Sequence, residues 1–232
     1  GWVHWYSLYL LLHAENSLRI KLFDIWDNRQ LLALICLFKQ LEDKWKSQNN
    51  LDDNTRKRIA YITNVKSFEE LYSNFNLNFT INKKGSLSSF PINSSDVIFS
   101  FHVLEHIHQC IIENSINQMY RILKPGGYCI HQIGIDDHLT HYDKKESKKK
   151  YIQYSKKVRK RIFENQLQYH NSFQAIDYLR LFKRHRFEIL DLKREKTVLN
   201  NSKIHSDWKK YTKEDLETIT LTLICRKPLR ER

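Results

Sequence analysis

At 232 residues, 41% of them hydrophobic, the chain has the length for one substantial core, and its uninterrupted apolar runs fall well short of the roughly 20 residues that span a bilayer. A net charge of +13 admits a nucleic-acid or anionic-surface partner, since clustered Lys and Arg gain affinity by releasing counterions from phosphates. Against that, 26 acidic residues are interspersed, and Lys, Asn and Ile are abundant together, as an AT-rich genome writes on any tolerant surface. The four cysteines, Cys36, Cys110, Cys129 and Cys225, lie far apart with no C-x-x-C pair, which argues against metal ligation and suits reduced core thiols in a cytoplasmic protein.

In chain order, Trp2, Trp5, Tyr6, Tyr9, Leu10 and His13 recur at helical spacing and predict an amphipathic helix from the first residues. Leu18 to Phe23 is a strand candidate ending at Asp24. Asp27 and Asn28 then precede an apolar stripe of Leu31, Leu34, Ile35, Phe38, Leu41 and Trp45, a second helix for which these residues are N-cap candidates. Residues 48–55 are polar and loop-like, and the pattern stays weak until Phe79-Thr80-Ile81, a short strand. Val97, Ile98 and Phe99, within Asp96 to Phe101, form a nearly continuous apolar run, the pattern of a strand buried on both faces. Ile112, Ile116, Met119 and Leu123 follow at helical spacing until Pro125-Gly126-Gly127 stops the helix, and the chain re-enters an apolar run from Tyr128 to Ile135. Strand, helix, strand is the parallel crossover unit, which delivers a strand's carboxyl end to a ligand crevice.

Beyond that unit, Lys144 to Arg161 is the densest basic stretch, read first as a solvated helix face and second as a binding site. Phe173, Ile176, Leu179 and Phe182 predict a helix, and Phe187 to Leu192 a strand. Ile219, Leu221, Leu223 and Cys225 alternate with Thr218, Thr220 and Thr222 in the period of a further strand, antiparallel to the preceding one. Neither repeats nor low-complexity linkers interrupt the pattern, so residues 1–232 read as a single domain.

The residues D-V-I-F-S-F-H-V-L-E-H-I from Asp96 and R-I-L-K-P-G-G from Arg121 resemble the fourth strand, following helix and fifth-strand entry of class I S-adenosylmethionine-dependent methyltransferases of the type 11 kind. The resemblance implies an α/β, Rossmann-like doubly wound sheet, mostly parallel with an antiparallel C-terminal strand, and S-adenosylmethionine as cofactor. It also implies that the family's first strand and Gly-rich turn precede this sequence. Only five glycines occur, none in a G-x-G, and Gly1-Trp2 looks like the tail of that turn. The expectation is therefore an N-terminal truncation that lacks the first strand, leaves a gap in its sheet or recruits another segment into it, and binds cofactor poorly. On the family's pattern Gly1 belongs to the cofactor loop, Asp24 holds the ribose hydroxyls with Asp27 as alternate, and Phe101 and His102 form the methionine side. Where the family carries an acidic residue after a glycine, Gly85 is followed by Ser86 and Leu87. Ser86 can accept a hydrogen bond and Leu87 can pack on the purine, with an ordinary Gly-Ser turn as the alternative.

Methyl transfer from a sulfonium is an in-line displacement, so the protein positions donor and acceptor and, for a hydroxyl, removes a proton. A group titrating near neutrality suits that task, and histidine is the natural one. His138 follows Asp136 and Asp137 at a strand's carboxyl end and is the favoured base or acceptor contact, with Asp137 as its orienter. In Glu105-His106, the acid complements a helix dipole and the histidine bonds neighbouring loops, with His106 kept as a further catalytic candidate. His102 is also open to a capping role, and His131 interrupts a buried strand and reads as core. Asp136, Asp137, His138 and His141 mix carboxylate with imidazole but lack a zinc spacing, so no metal is assigned.

The run I-H-Q-I-G-I-D-D-H, followed by N-S-F-Q-A-I-D-Y-L-R-L-F, resembles a bacterial methyltransferase subgroup of surface-glycan or other small-acceptor modification. That implies transfer to an oxygen or nitrogen of a small-molecule or glycan-like acceptor. Two readings stand beside it. One is a non-catalytic module that kept the fold and docks acidic partners through Lys144 to Arg161; the other is an RNA methyltransferase, against which the lack of an aromatic-basic recognition module argues.

Overall fold

The computed structural model describes residues 3–14, 18–47, 52–162, 169–199 and 203–229, apart from the side chains of Leu139, His141 and Ile162. The chain divides into two compact units, Gly1–Ser86 and Leu87–Arg232.

The first unit runs α1 (Trp5–His13), β1 (Ile20–Asp24), α2 (Leu31–Ser47), α3 (Asp53–Asn64), α4 (Phe68–Phe75) and β2 (Leu77–Ile81). β1 and β2 pair in parallel from Ile20↔Leu77 to Asp24↔Ile81, and α2 to α4 supply the long crossover that parallel strands need. The core is aliphatic and tight: Leu8, Leu34, Phe38, Ile59, Ile62 and Leu71 are all fully buried. Two elements differ from expectation. In α1 the buried face is Ser7, Leu8, Leu11 and Leu12, whereas Tyr6, Tyr9 and Leu10 of the expected stripe are exposed. Branched leucines fill the close-packed interior, and the flat rings pack along the helix flank, Trp5 against Phe38 and Tyr9 against Trp45 with centroids 5.2 and 5.9 Å apart. α3 and α4 occupy the stretch whose pattern was weak. They start on capped ends, Asp52 accepting from the Thr55 N–H and Ser67 from the Glu70 N–H.

The second unit runs β3 (Ser95–Phe101), a 3₁₀ turn (Leu104–His106), α5 (Ile112–Ile122), β4 (Leu123–Gly134), α6 (Leu139–Tyr142), α7 (Lys156–Ile162), α8 (Ala175–Arg184), β5 (Glu188–Lys196), α9 (Lys213–Glu217) and β6 (Thr218–Arg226). Its sheet order is β3-β4-β6-β5, with β3 and β4 parallel and the other two pairs antiparallel. The expected crossover is present as β3-α5-β4, and the expected antiparallel pair as β5 and β6. α5 buries Ile112, Ile116, Met119 and Ile122, as its period requires. Gly126 takes a φ of +82° between α5 and the body of β4, and its N–H donates to the Lys227 carbonyl at 2.9 Å, anchoring the turn to the chain beyond β6.

β3 is less buried than its apolar sequence suggests. Val97 is 47% exposed, because the strand lies at the end of the order with β4 as its ladder partner among the described residues. The remaining core of this unit is Ile133, Leu221, Leu223, Cys225, Tyr178 and Phe182, with a smaller cluster of Tyr151, Ile152, Trp208 and Leu216 beneath the segment after β4. None of the described helices is long and apolar enough to cross a membrane.

Candidate active site at the carboxyl ends of the strands

In the second unit the carboxyl ends of β3 and β4 bring together residues that lie far apart in sequence. β3 ends at Phe101, level with Gln132 of β4, and the next residue, His102, turns the chain at a φ of +52° while its N–H still reaches the Gln132 carbonyl at 2.9 Å. A left-handed backbone at a residue with a side chain is strained and persists where surrounding bonds determine it. Those bonds come from the 3₁₀ turn. Glu105 is fully buried, and its Oε1 accepts the Gly134 N–H at 3.0 Å and lies 3.1 Å from His102 Nδ1. The Glu105 carboxylate raises the His102 pKa above the ordinary histidine value, and burial opposes it in part. Glu105 Oε2 has no hydrogen-bond partner among the described residues.

The expectation that Glu105 complements a helix dipole does not hold, because α5 begins only at Ile112 and the carboxylate turns inward. His106, as expected, bonds a neighbouring loop: its Nδ1 lies 2.8 Å from the Tyr169 carbonyl. A carbonyl only accepts, so Nδ1 carries the proton and the neutral ring keeps its lone pair on Nε2. The His138 ring stands 5.2 Å from that of His106, and both neighbour His170, at 5.0 and 6.1 Å respectively.

His170 is buried and built in. Its Nε2 lies 3.1 Å from the Gly134 carbonyl and its Nδ1 2.7 Å from the Asn171 carbonyl, and Arg159 donates to the His170 carbonyl at 2.8 Å and to Ser172 Oγ at 2.6 Å. Burial first, and then the Arg159 charge, push its pKa well below the usual range, so this ring is neutral scaffolding. Next to it, the Asn171 side chain donates to the Leu104 and Ile107 carbonyls at 2.8 and 3.1 Å, the Asn171 N–H donates to the Glu105 carbonyl at 2.7 Å, and the Tyr178 hydroxyl donates to Asn171 Oδ1 at 2.9 Å. His170 and Asn171 escaped the sequence reading. They sit at the edge of the quoted N-S-F-Q run, in a stretch without periodicity.

Asp137 fixes the segment that follows β4: its Oδ2 accepts the Tyr151 N–H at 3.0 Å and its N–H donates to the Lys148 carbonyl at 2.7 Å. Two cations of the basic stretch are interior rather than solvated. Lys149, 1% exposed, donates to the Tyr151 hydroxyl and to Gln174 Oε1, and burial drives its pKa well down; Arg159 holds His170 as described. His131 is a core histidine, 2.8 Å from Ser100 Oγ, with burial lowering its pKa to about 4.

The other expected contacts are distributed over both units. In the first, Asp24 ends β1 and its Oδ1 accepts the Ile25 N–H at 2.8 Å. Asp27 caps no helix. Arg29 clamps it through two side-chain bonds of 2.7 and 2.8 Å and holds its carboxyl down at about 2, while the guanidinium lies over Phe68 and Phe79. Ser86 is the last residue of that unit, half-buried. Leu87 belongs to the second, where it packs on the core and its carbonyl accepts from Arg121 at 3.0 Å. Gly1 lies outside the described residues.

Residues 54–131, about a third of the chain, match the family model described as Methyltransferase domain. Solved structures of similar course include S-adenosylmethionine-dependent methyltransferases from Methanosarcina mazei, with 14% identity over 94% of this chain and 95% of that one and a TM-score of 0.46, and from Mesorhizobium loti, with 12%, 97%, 98% and 0.46. A third is the Burkholderia thailandensis 1,6-didemethyltoxoflavin-N1-methyltransferase with bound 1,6-didemethyltoxoflavin and S-adenosylhomocysteine, with 11% identity over 96% and 77% of the two chains and a TM-score of 0.45. No curated protein matches the sequence.

Over residues 54–131 the chain is thus similar to a methyltransferase domain, and the α/β order with its parallel β3-α5-β4 crossover is of the kind that class uses. The matched model is of the type 11 group, and the cofactor that a methyltransferase domain implies is S-adenosylmethionine.

Proposed function

We propose that this chain moves the methyl group of S-adenosylmethionine to an oxygen or nitrogen of a small-molecule or glycan-like acceptor. The observation that carries the reading is the built polar end of β3 and β4: a half-exposed His102 on a buried carboxylate, and the paired rings of His106 and His138 in the segments that follow the two strands. The Glu105 carboxylate places negative charge beneath this end of the ladder, which suits a ligand that brings positive charge, as the amino group and sulfonium of the cofactor do. When bound, the cofactor supplies an electrophilic methyl group; the chain's own residues hold the acceptor in line and manage its proton. In this reading Phe101 and His102 line the methionine side, and His138 and His106 contact the acceptor, with Asp137 fixing the segment that carries His138. For the adenosine, the resemblance supports Asp24 on the ribose and Ser86 and Leu87 on the adenine.

Calorimetric titration of the chain with S-adenosylhomocysteine tests the reading. Weak but saturable binding is expected, in keeping with the poor cofactor affinity anticipated for a chain without the family's first strand, and no heat of binding at millimolar ligand overturns the reading. Asp24→Ala should weaken that binding by roughly 1–3 kcal/mol if the ribose bonds are buried.

A further inference from the structure

Three local costs converge on one hydrogen bond in the second unit. Glu105 places a fully buried carboxylate with one oxygen unpartnered, His102 holds a left-handed backbone, and Gly134 leaves no room for a side chain, since a Cβ there would lie 2.8 Å from both Glu105 Oε1 and His102 Nδ1. A turn clamp does not explain them. Asn171 already clamps the 3₁₀ turn through backbone atoms, with bonds to the carbonyls of Leu104, Glu105 and Ile107, and a neutral amide at position 105 would accept the Gly134 N–H as well. Among the described residues, the His102 imidazole is the hydrogen-bond partner of Glu105 that makes use of the negative charge. Since Oε1 accepts the Gly134 N–H, the ionised carboxylate takes the His102 Nδ1 proton as its second donor, and the lone pair of the neutral ring sits on Nε2 of a side chain that is 53% exposed.

We propose that His102 and Glu105 form a proton-accepting pair, in which His102 Nε2 takes the proton of the methyl acceptor and Glu105 is the positioning residue. This rests on the methyl-transfer reading above. The acceptor's O–H or N–H bond gives its proton to Nε2 while the acceptor's electron pair forms the new bond to the methyl carbon; the pair of the broken S–C bond stays on sulfur, and the imidazolium later releases its proton to water. The groups that bear on His102 are Glu105 from the 3₁₀ turn, Asp136 after β4 and Glu195 on β5, and all three favour the imidazolium that the step creates. The role differs from that of His106, whose Nδ1 proton goes to a neutral carbonyl and gains no such charge.

The test is nitrogen-15 NMR of the histidine side chains in the full chain, with His102 assigned by its loss in His102→Gln. The expected result is a neutral ring protonated on Nδ1, a titration midpoint above that of an unstructured histidine, and a lower midpoint with mixed tautomers in Glu105→Gln. A neutral ring protonated on Nε2, a midpoint no higher than that of an unstructured histidine, or a folded Glu105→Gln chain with an unchanged midpoint overturns the proposal. Should Glu105→Gln not fold, the wild-type tautomer and midpoint decide alone. S-adenosylhomocysteine titration of the same sample separates the two readings. An unperturbed His102 with normal binding removes the pair alone, whereas the expected titration without binding removes the methyl-transfer reading and with it the acceptor.

Discussion

The interior of the β3-β4 ladder and its carboxyl end each hold a histidine, and the two surroundings push those rings in opposite directions. His131 lies within β4 level with Ser100, fully buried beside Phe182, and burial takes its pKa down to about 4. His102, one residue past the end of β3, has its pKa raised by the Glu105 carboxylate while half of its side chain stays exposed. Burial alone silences an imidazole at neutral pH; a buried carboxylate makes it more basic and leaves the ring reachable.

The largest expected effect tests the silent end. Because the folded value of His131 lies below the ordinary histidine value of 6.5, the unfolded chain binds the proton first, so stability falls as pH drops from 6.5 toward about 4. For the complete shift this amounts to on the order of 3 kcal/mol. Urea unfolding of wild type and His131→Leu across that range should show a shallower acid loss in the variant. His4 and His170 titrate low in both proteins, so they leave the difference to His131. Equal acid loss in the two proteins would mean that His131 charges freely and is not a core residue.

Next comes the crowded end. Gly134→Ala drives a methyl group against Glu105 Oε1 and His102 Nδ1, both 2.8 Å from the new atom, and should cost roughly 1–3 kcal/mol of stability by urea unfolding. It should also return the His102 NMR midpoint toward an ordinary histidine. Unchanged stability would show that the pair is loosely held. Ser100→Ala, which removes the partner of His131 Nδ1 in the interior, should cost about 1 kcal/mol and leave the His102 midpoint where it was.

Legibility in the sequence followed locality. The crossover unit declared itself because helix period, strand run and the Pro-Gly-Gly stop are all written within residues 96–135, and β6 because its alternation is strict. α4 carries a local start signal within the stretch of weak pattern: Ser67 and Glu70 have capping-box spacing, with Ser67 accepting the Glu70 N–H and Glu70 Oε2 accepting the Lys66 N–H. The buried face of α1 departs from the aromatic stripe because the branched side chains of Leu8, Leu11 and Leu12 fit the close-packed interior. At the candidate site, His106 and His138 were named and do lie together, but nothing in sequence announces that residues 169–171 return to brace residues 104–107. That contact is set by tertiary packing across separations of 63 and 67 residues, and residues 169–171 themselves lie in a stretch without periodicity. Glu105 illustrates the limit most directly. Its place near a helix start suggested a dipole role, and only the position of α5 shows that its carboxylate faces inward.

The smallest effect is the one that decides the comparison at its active end. A histidine whose folded pKa is raised contributes stability that is fully present below its unfolded value and is lost as pH rises through the folded value. Wild type should therefore lose slightly more stability than Glu105→Gln between about pH 6 and about pH 9, by less than ~1 kcal/mol, since solvent screens a side chain that is 53% exposed. The quantity to read is the difference in slope between the two proteins, not their absolute stabilities, because the amide also changes the cost of the orphaned buried oxygen. Parallel slopes would make His102 an ordinary surface imidazole, and its strained backbone and the crowding at Gly134 would then have no charge to serve.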